Sequence, residues 1–355
     1  MMDQQDKKTA VILFNLGGPD SKAAIEPFLF NFFMDPNIIT LPKPFRYLLA
    51  KRISKKRSKE EAGQSYGELG DRSPLLDNTK AQAEALEKAL GEGFKVFVCM
   101  RYWHPMAPQI VQDVEAFAPD KIVLLPLYPQ FSTTTTWSSL GVWRQAMAEA
   151  GLKTDTSLLC CYPENDGFAE AAADHIADQY ERAAKDGHSV PRILFSAHGL
   201  PEKIIKSGDP YQFQCEKTAE KIVETLKKRG ITDFDWQICY QSRVGRLKWI
   251  GPSLDEALEA AAKDKKSVIV FPHAFTQEHV ETLVELDIEY RHVAKKLGLP
   301  GYYRASCVSD HPAFINALAA LVRDYGWKTG VHAEGNACLC PDHFSRCCMR
   351  ASEGV

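Results

Sequence analysis

The chain has 355 residues, 45% of them hydrophobic and 25% charged, with a formal net charge of −3. That length and balance describe a soluble globular protein of two ordinary domains, and the slight acidity excludes a general nucleic-acid binder. The N-terminus shows no apolar signal segment, no apolar run approaches the roughly 18 residues of a membrane span, and the cysteines lack the spacing of a secreted disulfide framework, so a cytoplasmic protein with reduced thiols is expected.

Ala10 to Leu16 reads as a buried strand that breaks at Gly17-Gly18-Pro19, a turn that brings backbone close to whatever lies above the sheet. A packing turn is the plainer reading. Residues 25–50 are crowded with Phe, Ile, Leu and Tyr, interrupted by prolines, and a basic run follows at Lys51, Arg52, Lys55, Lys56, Arg57 and Lys59. Three readings stay open: a helix on an anionic membrane surface, a core helix with a solvated basic tail, and the lip of a pocket for a flat apolar ligand. Tyr66 to Pro74 is loop-like and Asn78 to Gly91 a helix. The strand Phe94 to Met100 ends in Arg101-Tyr102-Trp103-His104-Pro105, and Lys121 to Leu127 ends in Tyr128-Pro129-Gln130-Phe131-Ser132 and a threonine run. Hydroxyls and an arginine at successive strand ends suit the carboxylates of an anionic ligand. Ser157 to Cys161 is a candidate fourth strand.

The second half repeats the first. Arg192 to Ala197 runs into His198-Gly199-Leu200-Pro201, Trp236 to Tyr240 into Gln241-Ser242-Arg243, and Ser267 to Phe271 into Pro272, with helical patterns at Gln212 to Arg229, Ser253 to Lys263 and Glu278 to Leu297. Alternating βα units in two similar halves predict an α/β protein with two doubly wound, Rossmann-like parallel sheets around a cleft. The expected domains are residues 9–165, 166–330 and a cysteine-rich tail at 331–355. Neither a dinucleotide nor a nucleoside-triphosphate fingerprint occurs.

Glu278, Glu281, Glu285 and Glu289 recur at spacings of three and four, so they line one helical face and repel one another. A solvated acidic face accounts for Glu289. Glu278, His279 and Glu281 instead fall outside a strand end, where ligands bind in open α/β sheets. His198 also ends a buried strand, just before a glycine. A lone histidine is more often structural, but one facing carboxylates could take a proton near neutral pH or hold a borderline metal such as Fe²⁺.

The chain resembles the ferrochelatases, which insert ferrous iron into protoporphyrin IX at the last step of haem biosynthesis. The resemblance runs from about Val11 to Tyr325 and rests on NLGGP (Asn15–Pro19), TLPKP (Thr40–Pro44), RYWHP (Arg101–Pro105), YPQFS (Tyr128–Ser132), SAHGLP (Ser196–Pro201), CYQSRVG (Cys239–Gly245) and AFTQEHVETLVELDIEY (Ala274–Tyr290). It implies a lyase whose invariant histidine is His198 and whose metal-site glutamate is Glu281, with a proton or metal relay at His279 and Glu285 that the neighbouring carboxylate of Glu278 can extend. It further implies substrate contacts at Arg57, Tyr66, Ser73, Trp249 and Phe275, to which the strand-end residues Arg101 and Tyr128 are added, and a lip at 25–50 that admits porphyrin from the inner face of the membrane. A coproporphyrin chelatase and a non-catalytic tetrapyrrole or metal carrier are the alternatives; a carrier would not need both His198 and Glu281. Monomers and homodimers both occur among such proteins.

Cys338, Cys340, Cys347 and Cys348 share one short tail, and thiolate clusters in reducing compartments bind zinc or iron–sulfur centres. The resemblance implies a [2Fe–2S] cluster with three ligands from the tail and one from the main fold. In the animal-type pattern the distant ligand follows the YPQYS motif, where this chain has Thr133. The expected set is therefore Cys161, Cys338, Cys340 and Cys347, with Cys160 and Cys348 as alternates; a disordered tail with free thiols is the plain alternative.

Overall fold

The structure, a computed structural model, describes residues 7–63, 66–188, 190–243, 245 and 247–351. In chain order the first half contains β1 (Thr9–Asn15), α1 (Ile25–Phe33), α2 (Lys43–Gly63), α3 (Leu75–Leu90), β2 (Phe94–Met100), α4 (Ala107–Phe117), β3 (Lys121–Pro126), α5 (Thr136–Ala150) and β4 (Thr156–Leu159). The second half contains α6 (Asp166–Lys185), β5 (Arg192–His198), α7 (Glu202–Lys206), α8 (Tyr211–Lys228), β6 (Asp235–Gln241), α9 (Leu254–Lys263), β7 (Val268–Phe271), a π-helical segment (Glu281–Glu289), α10 (Tyr290–Lys296) and β8 (Tyr302–Arg304). The chain closes with α11 (Pro312–Tyr325), β9 (Gly330–His332) and α12 (Cys348–Ala351).

Two compact units result. One comprises Met1–Cys161, Leu318–Ala337 and Cys348–Val355, the other Tyr162–Ala317 and Cys338–Cys347. The first sheet has the order β2-β1-β3-β4-β9 and the second β6-β5-β7-β8, and every pairing is parallel. β1 and β5 are flanked by strands on both sides and covered by helices, which is why they read as unbroken apolar runs rather than alternating ones. Crossover helices bury one stripe each: Leu75, Thr79, Gln82, Ala83, Leu86 and Leu90 along α3, and Leu254, Ala257, Leu258 and Ala261 along α9. The start of α9 is fixed by a reciprocal capping box between Ser253 and Glu256.

The parallel arrangement gathers the carboxyl ends of the strands on one edge of each sheet. In the first unit the turn after β1 needs glycine. Gly17 has φ +87°, and a Cβ on Gly18 would stand 2.5 Å from the Ser73 hydroxyl oxygen. The loop carrying Ser73 is seated there by Ser73 N–H donating to the Pro19 carbonyl at 2.8 Å. Among the described residues no helix is long and apolar enough to cross a membrane.

Candidate active site

In the second unit β5 delivers His198 to the end of the sheet, opposite Gln241 of β6 in register. The Tyr211 hydroxyl donates to the His198 carbonyl at 3.1 Å and anchors the backbone there. The π segment begins at Glu281 and points that carboxylate at the histidine: His198 Nδ1 to Glu281 Oε2 is 2.9 Å. The His279 Nε2 lies 3.8 Å from the same carboxylate oxygen. Phe275 packs its ring 4.7 Å from that of His279, centroid to centroid. Gly199 follows His198 because a Cβ there would meet the Gln241 carbonyl at 3.0 Å and the Trp249 ring at 3.5 Å. Trp249 thus packs against the turn that carries His198 and Gly199.

A second carboxylate is held beside the first. The Ser196 hydroxyl donates to Gln241 Oε1 at 2.7 Å, which turns the Gln241 amide nitrogen toward the Glu281 carbonyl (3.0 Å) and Glu285 Oε2 (3.1 Å). Ser242 adds its N–H to Glu285 Oε1 at 2.8 Å and its hydroxyl to Oε2 at 2.5 Å. It does so from the left-handed region, φ +61°, an unusual conformation for a residue with a side chain. Glu278 is compensated differently: its Oε1 accepts from Arg304 Nη1 at 2.7 Å and from the Cys307 N–H at 2.9 Å.

These surroundings set four protonation states. Burial drives Glu285 up to about 7, with the nearby Glu281 charge adding to the rise against the pull of Ser242. Burial alone would lower His198, but the charge and hydrogen bond of Glu281 outweigh it and hold the imidazolium above its ordinary range. The ring still keeps 36% of its side-chain surface open, so it is reachable. Burial lowers His279 and keeps it neutral. Glu278 would rise on burial, yet Arg304 pulls it below the ordinary carboxylate range. A protonatable histidine, an ionised carboxylate and a carboxyl poised near neutrality thus share one strand end. Such a set can bind a divalent cation and pass protons.

In the first unit the remaining expected residues occupy separate settings. Arg101 commits Nη2 to the buried Asp35 at 3.0 Å and Nε to Ser138 at 2.7 Å, while Tyr102 donates to Asp35 at 2.7 Å. Tyr66 and Ser73 are buried, and burial raises the Tyr128 phenol. The Arg57 guanidinium lies 6.0 Å from the Phe33 ring centroid. Leu41, Phe45, Tyr47 and Leu48 are exposed, Leu48 by 67%. Sequence reasoning did not assign roles to Gln241, Ser242 or Tyr211; the Gln-Ser pair lay in the CYQSRVG motif, which was the available signal.

In the tail, the ligand atoms of Cys338, Cys340 and Cys347 lie within 4.8 Å of one another, and Gln214 Nε2 donates to Cys340 Sγ at 3.2 Å. Three converging sulfurs fit a thiolate-bound metal centre. In the first unit Cys160 Sγ lies 3.5 Å from Cys161 Sγ, and the Cys160 thiol also contacts Cys348 within the core.

The twin parallel sheets define a class of α/β fold that a solved structure shares: SirB from Bacillus subtilis, solved with Fe³⁺, superposes with a TM-score of 0.55 at 14% identity, over 90% of this chain and 96% of that one. Sequence then narrows the class. The family model for ferrochelatase matches residues 8–325. A ferrochelatase of Wolbachia sp. subsp. Drosophila simulans (strain wRi) is 51% identical over 88% of this chain and 98% of its own length. One of Caulobacter vibrioides (strain NA1000 / CB15N) is 47% identical over 97% and 98%. The chain belongs to the ferrochelatase family, and it is a metal chelatase of the lyase class.

Proposed function

We propose that this chain inserts Fe²⁺ into protoporphyrin IX, with His198 and Glu281 as the residues that receive the metal and the pyrrole protons. The observation that carries this reading is the 2.9 Å contact between His198 Nδ1 and Glu281 Oε2. Insertion releases two protons and needs iron stripped of water. Glu281 supplies an anionic oxygen for the ion, and His198 accepts a proton once the metal has displaced its own. Metal binding at this pair therefore weakens as pH falls. Glu285, balanced near 7, is suited to carry protons onward, with His279 as a neutral neighbour. Glu278 contributes to the relay by holding the segment's entry through Arg304. Arg57, Tyr66, Ser73, Arg101, Tyr128, Trp249 and Phe275 are the proposed porphyrin contacts, Arg101 acting from its ion pair with Asp35.

The protein acts in the cytoplasm, at the inner face of the membrane. Support comes from Phe45 and Leu48 of α2, exposed by 65% and 67%, followed on the same helix by six cations. Cys338, Cys340 and Cys347 fit three ligands of a [2Fe–2S] cluster, and Cys161 is the proposed fourth. The cluster would supply a rigid cross-link for the tail. A homodimer fits the same exposed apolar lip.

Anaerobic loss of protoporphyrin absorbance on adding Fe²⁺ tests the reading. The expected result is insertion by the native chain and its loss in both His198→Ala and Glu281→Ala. Porphyrin binding without metallation would favour the carrier, and a native insertion rate in His198→Ala would remove the proposed site.

A further inference from the structure

The segment that carries Glu281 and Glu285 is π-helical over nine residues, Glu281–Glu289. Such stretches are rare and longer than the usual single bulge, so the surrounding structure must hold them. The restraints come from β8 and α10. The Tyr302 hydroxyl donates to the Leu286 carbonyl at 2.7 Å, and Arg291 reaches the Tyr302 carbonyl at 3.0 Å. Arg304 does more. Its Nη2 lies 2.7 Å from Asp287 Oδ2 inside the π segment, and its Nη1 lies 2.7 Å from Glu278 Oε1 ahead of it.

One guanidinium, 8% exposed, therefore spans the stretch that contains His279, Glu281 and Glu285. Burying a cation is costly and gains little stability over a well-packed apolar residue. What the charge adds is geometry: two carboxylates gripped by one planar fork have a fixed separation. We propose that Arg304 is a positioning residue for metal insertion, setting through Asp287 and Glu278 where Glu281 stands against His198. The inference rests on the metal-site reading above.

Asp287→Asn is the decisive variant, because it weakens the grip on the π segment and leaves Arg304 paired with Glu278. Its KM for Fe²⁺ is expected to rise about tenfold as the charged contacts of Asp287 to Arg304 (2.7 Å) and Arg291 (3.3 Å) weaken, while the KM for protoporphyrin and the melting temperature stay close to native. Visible absorption of Co²⁺ bound without porphyrin should weaken in parallel. Arg304→Lys keeps one arm of the fork and should fall between Asp287→Asn and the native chain. Arg304→Met with Glu278→Gln removes the buried charges together and should reproduce the metal defect in a folded protein. If Asp287→Asn and the double variant both keep native Fe²⁺ KM and Co²⁺ absorption, the proposal is overturned. It is also overturned if both KM values and the melting temperature shift together, since that marks a scaffold role. His198→Ala and Glu281→Ala run alongside separate the two readings. Normal Co²⁺ binding in those variants brings down the metal site and this inference with it. Their loss beside a native Asp287→Asn brings down the inference alone.

Discussion

Gln241 donates its side-chain amide to the Glu281 backbone carbonyl across 3.0 Å, so the last residue of β6 fixes the first residue of the π segment. The same amide reaches Glu285 at 3.1 Å and is itself oriented by Ser196. Gln241→Leu removes both donors without adding charge. Insertion rate should fall by roughly 10- to 100-fold, the range for a lost hydrogen bond to a charged group, with porphyrin affinity retained. Single-turnover metallation is the measurement, and an unchanged rate would show that the main-chain contacts hold Glu281 by themselves.

Glu285 gives the fold a pH dependence of defined sign. Its carboxyl is raised from an ordinary 4.5 to about 7. Between those values the native state binds a proton that the unfolded state has released, so stability falls as pH rises and the loss is complete above the folded value. Glu285→Gln should therefore be more stable than the native chain near pH 8, by on the order of 1–3 kcal/mol, and close to it near pH 4.5. Thermal melts of both proteins across that window check the sign.

The tail thiols make a spectroscopic prediction. Cys338→Ser, Cys340→Ser or Cys347→Ser should abolish visible sulfur-to-iron absorption in protein purified without oxygen, and Cys161→Ser should do the same. Cys160→Ser and Cys348→Ser should leave the spectrum intact, because neither thiol is among the four proposed ligands. Absorption that survives Cys161→Ser and vanishes in Cys160→Ser would reassign the fourth ligand.

The lip can be tested apart from catalysis. Phe45→Ser with Leu48→Ser removes two exposed side chains, each good for about 1.5–3 kcal/mol if buried in a membrane. Binding to vesicles of anionic lipid should drop by more than about tenfold while the melting temperature holds, since neither residue supports the core. Sedimentation with the vesicles reports the outcome.

Much of this architecture was legible in the sequence for a simple reason: β1, β3 and β5 are buried on both faces, and such strands announce themselves as unbroken apolar runs. His198 was legible because it ends one of them. The π geometry was not, since glutamates four residues apart look the same in an α-helix as in a wider turn. Arg304 was equally hidden, because its two partners lie 26 and 17 positions away and no local pattern links them. The return of the chain to the first unit at Leu318 also escaped notice, as helical periodicity says which face is buried and not which sheet covers it.

Ser242 sets backbone strain against a hydrogen bond at a single position. Glycine would relieve its left-handed backbone by about 1 kcal/mol and keep the N–H bond to Glu285. It would also delete the hydroxyl that contacts Glu285 at 2.5 Å and leave that carboxylate one donor short. A hydrogen bond to a charged group is worth about 1.5–3 kcal/mol, more than the relief, so Ser242→Gly should melt earlier as well as handle protons less well.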